Sequence, residues 1–173
     1  MARPDINTTG GLMPARGYDG GTSRGGETII DSVVNRGATT IQPGQVVGRD
    51  PSAPRSGRLA LVGDVLLGLV HRDPVTYHAD SAGNVGFGQY RDVPFYRLGF
   101  TNATPVEEVY PDDGVVAIFT DGVFSGLGGT TNGLSDTRRL MKNHKWETRT
   151  AANAAEPGEV SIMAGNSVNY VTY

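Results

Sequence analysis

His71, Asp73, His78 and Asp80 spell H-x-D twice in one short stretch, a pairing of imidazole and carboxylate that suits zinc or iron. Against a metal site, Asp73 precedes Pro74, which reads as a strand-ending turn. Residues two apart on a strand also share a face, as the polar rims of hairpins do. No metal is expected there. Serine, histidine and aspartate occur in number, but no G-x-S-x-G places them, and neither Ser125 nor Ser167 has the glycines of a nucleophile elbow. Glu107 and Glu108 are adjacent, so on a strand they face opposite ways and cannot serve one cleft. Asp112-Asp113 before Gly114 is turn chemistry. Residues 126–131 (GLGGTT) are glycine-rich but have no lysine and no following helix, so they read as a loop and not a phosphate cradle. The expectation is a chain with no catalytic residue and no cofactor.

The only basic cluster is Arg138-Arg139-Leu140-Met141-Lys142-Asn143-His144-Lys145-Trp146. A nucleic-acid groove would need more positive charge and a stacking platform, and the net charge is −3. A protein-facing or solvated basic face fits better. Of 15 basic residues only Lys142 and Lys145 are lysine, and arginine is the cation enriched in protein interfaces. Arg3, Arg16, Tyr18, Arg24, Arg138, Arg139 and Trp146 are therefore the candidate partner-binding residues. Trp146, the single tryptophan, is either a core anchor or an interface hot spot.

Whatever positions these residues is not helical. The chain of 173 residues holds 25 glycines and 10 prolines, which disfavour long helices and supply turns. It has no cysteine, so disulfides and thiolate chemistry are excluded. The N-terminal stretch has no apolar core of a secretory signal, and no run approaches the ~20 apolar residues of a membrane span. Residues 1–26 carry seven glycines and little apolar periodicity, too little to offset their ordering entropy alone. They read as an extended arm that lies on its own domain or, preferably, on neighbouring chains. Residues 27–173 read as one β-domain.

Within that domain, residues 27–34 (ETIIDSVV) offer Ile29, Ile30, Val33 and Val34 to the core. Residues 39–72 form a meander of short apolar runs broken by Pro43-Gly44 and Gly63-Asp64. Short strands are expected at 74–77 and 85–87. Residues 92–101 (DVPFYRLGFT) alternate most clearly, with Pro94 suggesting an edge. Residues 106–110 and 115–120 look like a hairpin, 125–132 like a loop, and 134–142 like a short helix capped by Ser135. Strands at 146–150, 160–163 and 168–173 close the chain. The fold class is all-β: a single antiparallel sandwich or barrel, jelly-roll-like, of about ten short strands.

Ile41-Gln42-Pro43-Gly44-Gln45-Val46-Val47, an (I/V)-x-x-G-x-V-V step, is followed by a loop and a second glycine- and valine-rich strand pair at residues 63–68. This stretch resembles tailed-bacteriophage head cement or decoration proteins. The resemblance implies a non-enzymatic virion protein that binds and stabilises the outer surface of the capsid by bridging neighbouring major capsid subunits. It also implies a homotrimer or other homo-oligomer on the capsid lattice, assembled in the host cytoplasm, with no nucleic-acid or membrane partner. The alternative is a carbohydrate- or receptor-binding β-domain of a phage fibre or spike, stacking sugars on Tyr77, Tyr90, Tyr96 or Tyr110. A β-fold hydrolase with a dispersed site ranks last.

Overall fold

A computed structural model of the chain describes residues 19–23, 27–72, 78–79 and 85–163. Eleven strands lie among them: β1 (Ile29–Asn35), β2 (Val46–Arg49), β3 (Ser56–Leu59), β4 (Val65–Leu69), β5 (His78–Ala79), β6 (Val85–Gly86), β7 (Asp92–Ala103), β8 (Gly114–Thr120), β9 (Val123–Gly129), β10 (Arg138–Trp146) and β11 (Gly158–Ile162). Nine form one sheet in the order β4-β2-β3-β1-β7-β11-β10-β8-β9, and β5 pairs with β6 apart from it. The all-β expectation holds.

The sheet is mixed, not purely antiparallel. Val34 and Asn35 of β1 pair in parallel with Ser56 and Gly57 of β3, because antiparallel β2 intervenes in the chain and β3 returns in the direction of β1. No continuous ladder closes the sheet, but the start of β9 meets the turn between β3 and β4. The Phe124 N–H donates to Ala60 O and the Val62 N–H to Gly122 O, each at 2.9 Å, around a Leu61–Val123 bridge. Inside, Tyr96, Trp146, Val115, Leu127, Met141 and Val160 belong to the larger apolar cluster, and Ile41, Phe87, Val93 and Phe95 to a second. Each large side chain removed fully from water contributes about 1.5–3 kcal/mol of transfer free energy.

Several local expectations change. Residues 134–142 are not a helix: a tight turn, with reciprocal backbone bonds between Ser135 and Arg138, feeds β10, which pairs with β8 from Arg138 onward. Pairing across the sheet overrides the weak helical pattern. The glycines expected to make a loop at 125–132 instead build β9, the hairpin partner of β8. A Cβ at Gly126 or Gly128 would run into Val106 or Glu107, so glycine is what lets the 106–107 segment lie against this strand. Residues 106–110 therefore cover β9, to which the Val106 N–H donates at Leu127 O (2.9 Å), and Val109 bridges Thr150. Pro94 lies inside the sheet, opposite Ser32, and its carbonyl accepts the His71 N–H at 2.8 Å. Ile29 and Ile30 are not core residues: they are 47% and 37% exposed. The expected strand at 74–77 and the expected closing strand at 168–173 lie outside the described residues.

Candidate functional site

Two of the described segments bear on the candidate residues: residues 19–23, the root of the N-terminal arm, and the basic strand β10. At the root, residues 19–23 run beside β7. The Gly20 N–H donates to Asn102 O at 2.8 Å, the Asn102 N–H to Gly21 O at 3.0 Å and the Ser23 N–H to Phe100 O at 3.2 Å, with Thr22 bridging Thr101. Gly20 O accepts the Arg72 N–H at 2.8 Å. Side chains add to this. Thr104 Oγ1 donates to Asp19 Oδ1 at 2.8 Å, and the Tyr96 hydroxyl donates to Gly20 O at 3.1 Å. Burial pushes the Asp19 carboxyl up, partly offset by Thr104 and Arg72.

Gly20 holds φ +71°, and a Cβ there would meet Val70 O and Gly44 N, so the root accepts only glycine without strain. The part of the arm that is described thus folds on its own domain. Arg3, Arg16, Tyr18 and Arg24 lie outside the described residues.

On β10 the basic cluster spends most of its charge internally. Arg138 forks onto Glu107 at 2.6 and 2.9 Å. Burial pushes the Glu107 carboxyl up, but Arg138 and the Gly129 N–H outweigh it and hold the group below the usual carboxylate range. Arg139 Nη1 donates to Val62 O and, at 2.8 Å, to Asp64 O. The buried Asp64 carboxylate takes two hydrogen bonds from Arg58, at 2.6 and 3.0 Å. The two arginines thereby clamp the turn between β3 and β4. Lys145 Nζ reaches Asp112 at 2.9 Å. Lys142 makes no ion pair among the described residues.

Trp146 is wholly buried and its Nε1 donates to Gly128 O at 2.9 Å. Of the two readings left open by the sequence, the structure gives it the core position, so it offers no surface to a partner in this state.

His71, the described side chain of the H-x-D pairs, lies with Nδ1 2.8 Å from the Tyr96 hydroxyl, against which its ring stands edge-on. Asp73, Asp80 and the His78 side chain lie outside the described residues. Tyr96 is buried and cannot stack on a sugar, whereas Tyr90 and Tyr110 are 65% and 38% exposed, with the Arg36 and Arg149 guanidinium groups 5.4 and 5.3 Å from their ring centroids. Tyr77 is outside the described residues. Asp113 is likewise internal: burial pushes its carboxyl up, while the Thr131 hydroxyl at 2.6 Å, the backbone N–H groups of Tyr110 and Thr131 and the Thr130 hydroxyl outweigh that and hold it low. What these carboxylates do chemically is fix loops.

Neither the arm root nor the clamp carried a sequence signature. Asp19, Gly20 and Thr22 look like any polar glycine-rich run, and their partners lie about eighty residues away.

Comparison with known proteins agrees with this picture. A family model described as "Structural cement protein (E217 gp24/Pam3 gp6)" matches residues 6–163. No curated protein matches the chain significantly. Among solved structures, a chain from "The capsid of Myoviridae Phage XM1" shares the fold with a TM-score of 0.65 at 14% identity, over 89% of this chain and 96% of that one.

Proposed function

The chain belongs to the phage structural cement protein family, and on that premise we propose that it fastens neighbouring major capsid subunits from outside the shell, with residues 1–26 as the fastening arm. It is a capsid-stabilising structural protein, and the recognition and fold readings of the sequence stand. The finer reading adds that it catalyses nothing, that several copies associate on the lattice, as a homotrimer or another homo-oligomer, and that they join shells assembled in the host cytoplasm.

One observation carries the arm's role: residues 19–23 are pinned to β7 by backbone and side-chain hydrogen bonds, while the family match begins at residue 6. A pinned root lets whatever precedes it pull on the domain without peeling. Many weak contacts of this sort, multiplied by lattice symmetry, give avidity without one strong site. The candidates Arg3, Arg16, Tyr18 and Arg24 belong to this arm, and arginine forks suit carboxylate-bearing neighbours.

The test is co-sedimentation with shells assembled without this protein, comparing the full chain with one lacking residues 1–18. The cut spares the pinned root. The truncated protein should keep its melting temperature and lose at least tenfold in shell affinity; equal binding by both would remove the arm from the mechanism.

A further inference from the structure

One turn puts a bulky side chain where the backbone asks for glycine. Residues 88–91 (GQYR) reverse the chain ahead of β7, with the Arg91 N–H on Gly88 O at 3.2 Å. Tyr90, the third residue of this turn, holds φ +65°. Glycine or asparagine ordinarily fills such a position, because a Cβ is crowded in the left-handed region. Gly88, two residues earlier, stands where glycine is not needed: its φ is not left-handed, and a Cβ there would meet open space.

The tyrosine does not offset that strain by packing. Its ring is 65% exposed, and the Arg36 guanidinium 5.4 Å from the centroid makes an exposed cation–π contact, weaker than the strain of a bulky left-handed residue. The base of the turn is rigid. The Tyr90 N–H donates to Asn35 O at 2.7 Å and the Asn35 N–H to Arg91 O at 2.8 Å. Asn35 is wholly buried; its side-chain amide donates to Thr39 O and Phe87 O at 3.0 and 3.1 Å and accepts the Gly37 N–H at 2.9 Å. The ring is thus held out from a fixed platform. An exposed aromatic on a preorganised base beside arginine has the composition of an interface anchor, and strained backbone collects where a ligand is clamped.

Charge says what the anchor faces. Arg36 and Arg91 are exposed, and neither has an anionic partner among the described residues. Asp92, also exposed, offsets one of them, and the tip stays net positive. We propose that Tyr90, with Arg36 against its ring and Arg91 next in the chain, anchors the protein on an acidic surface of a major capsid subunit. The inference rests on the capsid-fastening reading and adds to it a second contact besides the arm. Other occupants fit the charge less well. Residues 1–18 carry Arg3 and Arg16 against Asp5 alone, so an arm, its own or a neighbour's, brings like charge. Two copies meeting tip to tip would set arginine against arginine. Residues 164–173 contain no aspartate or glutamate.

Tyr90→Gly relieves the strain and removes the ring at once, so stability and binding should move in opposite directions. Full-length variants are compared with the parent for melting temperature and for affinity to shells assembled without this protein. Tyr90→Gly should melt at or above the parent and bind shells at least about tenfold more weakly, the order of one anchor residue. Tyr90→Phe, which keeps the ring, should bind as the parent does. Arg36→Glu combined with Arg91→Glu should melt with the parent, both side chains being exposed, and bind at least about tenfold more weakly. Tyr90→p-benzoylphenylalanine, irradiated on the shell, should crosslink to one capsid-subunit peptide that carries aspartate or glutamate. A lower melting temperature for Tyr90→Gly overturns the proposal by making the ring a structural part. So does binding by the glycine or the double-glutamate variant within about twofold of the parent. Crosslinks confined to a second copy, or to residues 164–173 with their terminal carboxylate as the competing anion, overturn it too. If the parent itself does not bind shells, the fastening reading falls and this inference with it; if the parent binds and Tyr90→Gly binds equally, this inference alone falls.

Discussion

The hydroxyl oxygen of Tyr96 lies 2.9 Å from that of Thr22, joining the middle of β7 to a residue 74 positions earlier. The same hydroxyl donates to Gly20 O and lies 2.8 Å from His71 Nδ1, so one phenol ties together the arm root, the end of the central meander and the longest strand. Its burial is what makes these bonds count, since an unmet hydroxyl there would bear its full desolvation cost.

Tyr96→Phe removes the hydroxyl while keeping the ring in the core. It should cost about 1–3 kcal/mol, the range for leaving buried partners unmet. Amide exchange at residues 20–23 should rise more than exchange in β8. Uniform loosening of both would mean that the hydroxyl supports the core and not the root.

Gly20→Ala places a Cβ against Val70 O and Gly44 N at a backbone angle of φ +71°. The expected loss is about 1–3 kcal/mol from strain at a left-handed position. Thermal melting reads it, and a change under half a kilocalorie would show that the root relaxes without penalty.

The Arg138–Glu107 fork is only about a fifth exposed at either side chain. Arg138→Leu with Glu107→Gln, measured singly and together, should give a coupling of about 1–3 kcal/mol. A coupling near zero would reduce the pair to surface decoration.

Acid should weaken the fold in two windows. His144 titrates near 4 when folded and near 6.5 when unfolded, so the unfolded chain binds the extra proton first as pH drops. Stability from keeping it neutral is complete above the unfolded pKa and falls between about pH 6.5 and 4, by up to roughly 3 kcal/mol. Glu107 and Asp113, both held low in the fold, add a second loss below the ordinary carboxylate range. Melting curves from pH 7 to 4 for the parent and His144→Leu check the first window: the variant should be nearly flat there.

Trp146→Ala should cost about 3–5 kcal/mol because the indole is wholly buried. Shell binding per folded molecule should be unchanged. A variant that folds normally and fails to bind would return Trp146 to the interface.

The sequence disclosed the strands that rely on alternation and turns. Residues 92–101 became β7 nearly as read, the Pro43-Gly44 turn leads into β2, and the Gly63-Asp64 turn separates β3 from β4. It misled wherever a distant partner decides. The GLGGTT run contributes to strand β9 because Val106 and Glu107 need bare backbone beneath them. Arg138 and Arg139 looked like an offered positive face and are engaged by Glu107 and by the carbonyls of Val62 and Asp64. Neither fact is visible without knowing which segments become neighbours. Ile29 and Ile30 were misplaced as well, because apolar residues on a strand are read as interior by default and both are exposed.

The hydrogen bonds from Phe124 to Ala60 and from Val62 to Gly122 use up donors and acceptors along the β9 border. Together with the Val106 N–H on Leu127 O and the Gly129 N–H on the Glu107 carboxylate, they occupy main-chain groups on which a strand from another chain would otherwise pair, so this border is a poor template for edge-to-edge addition.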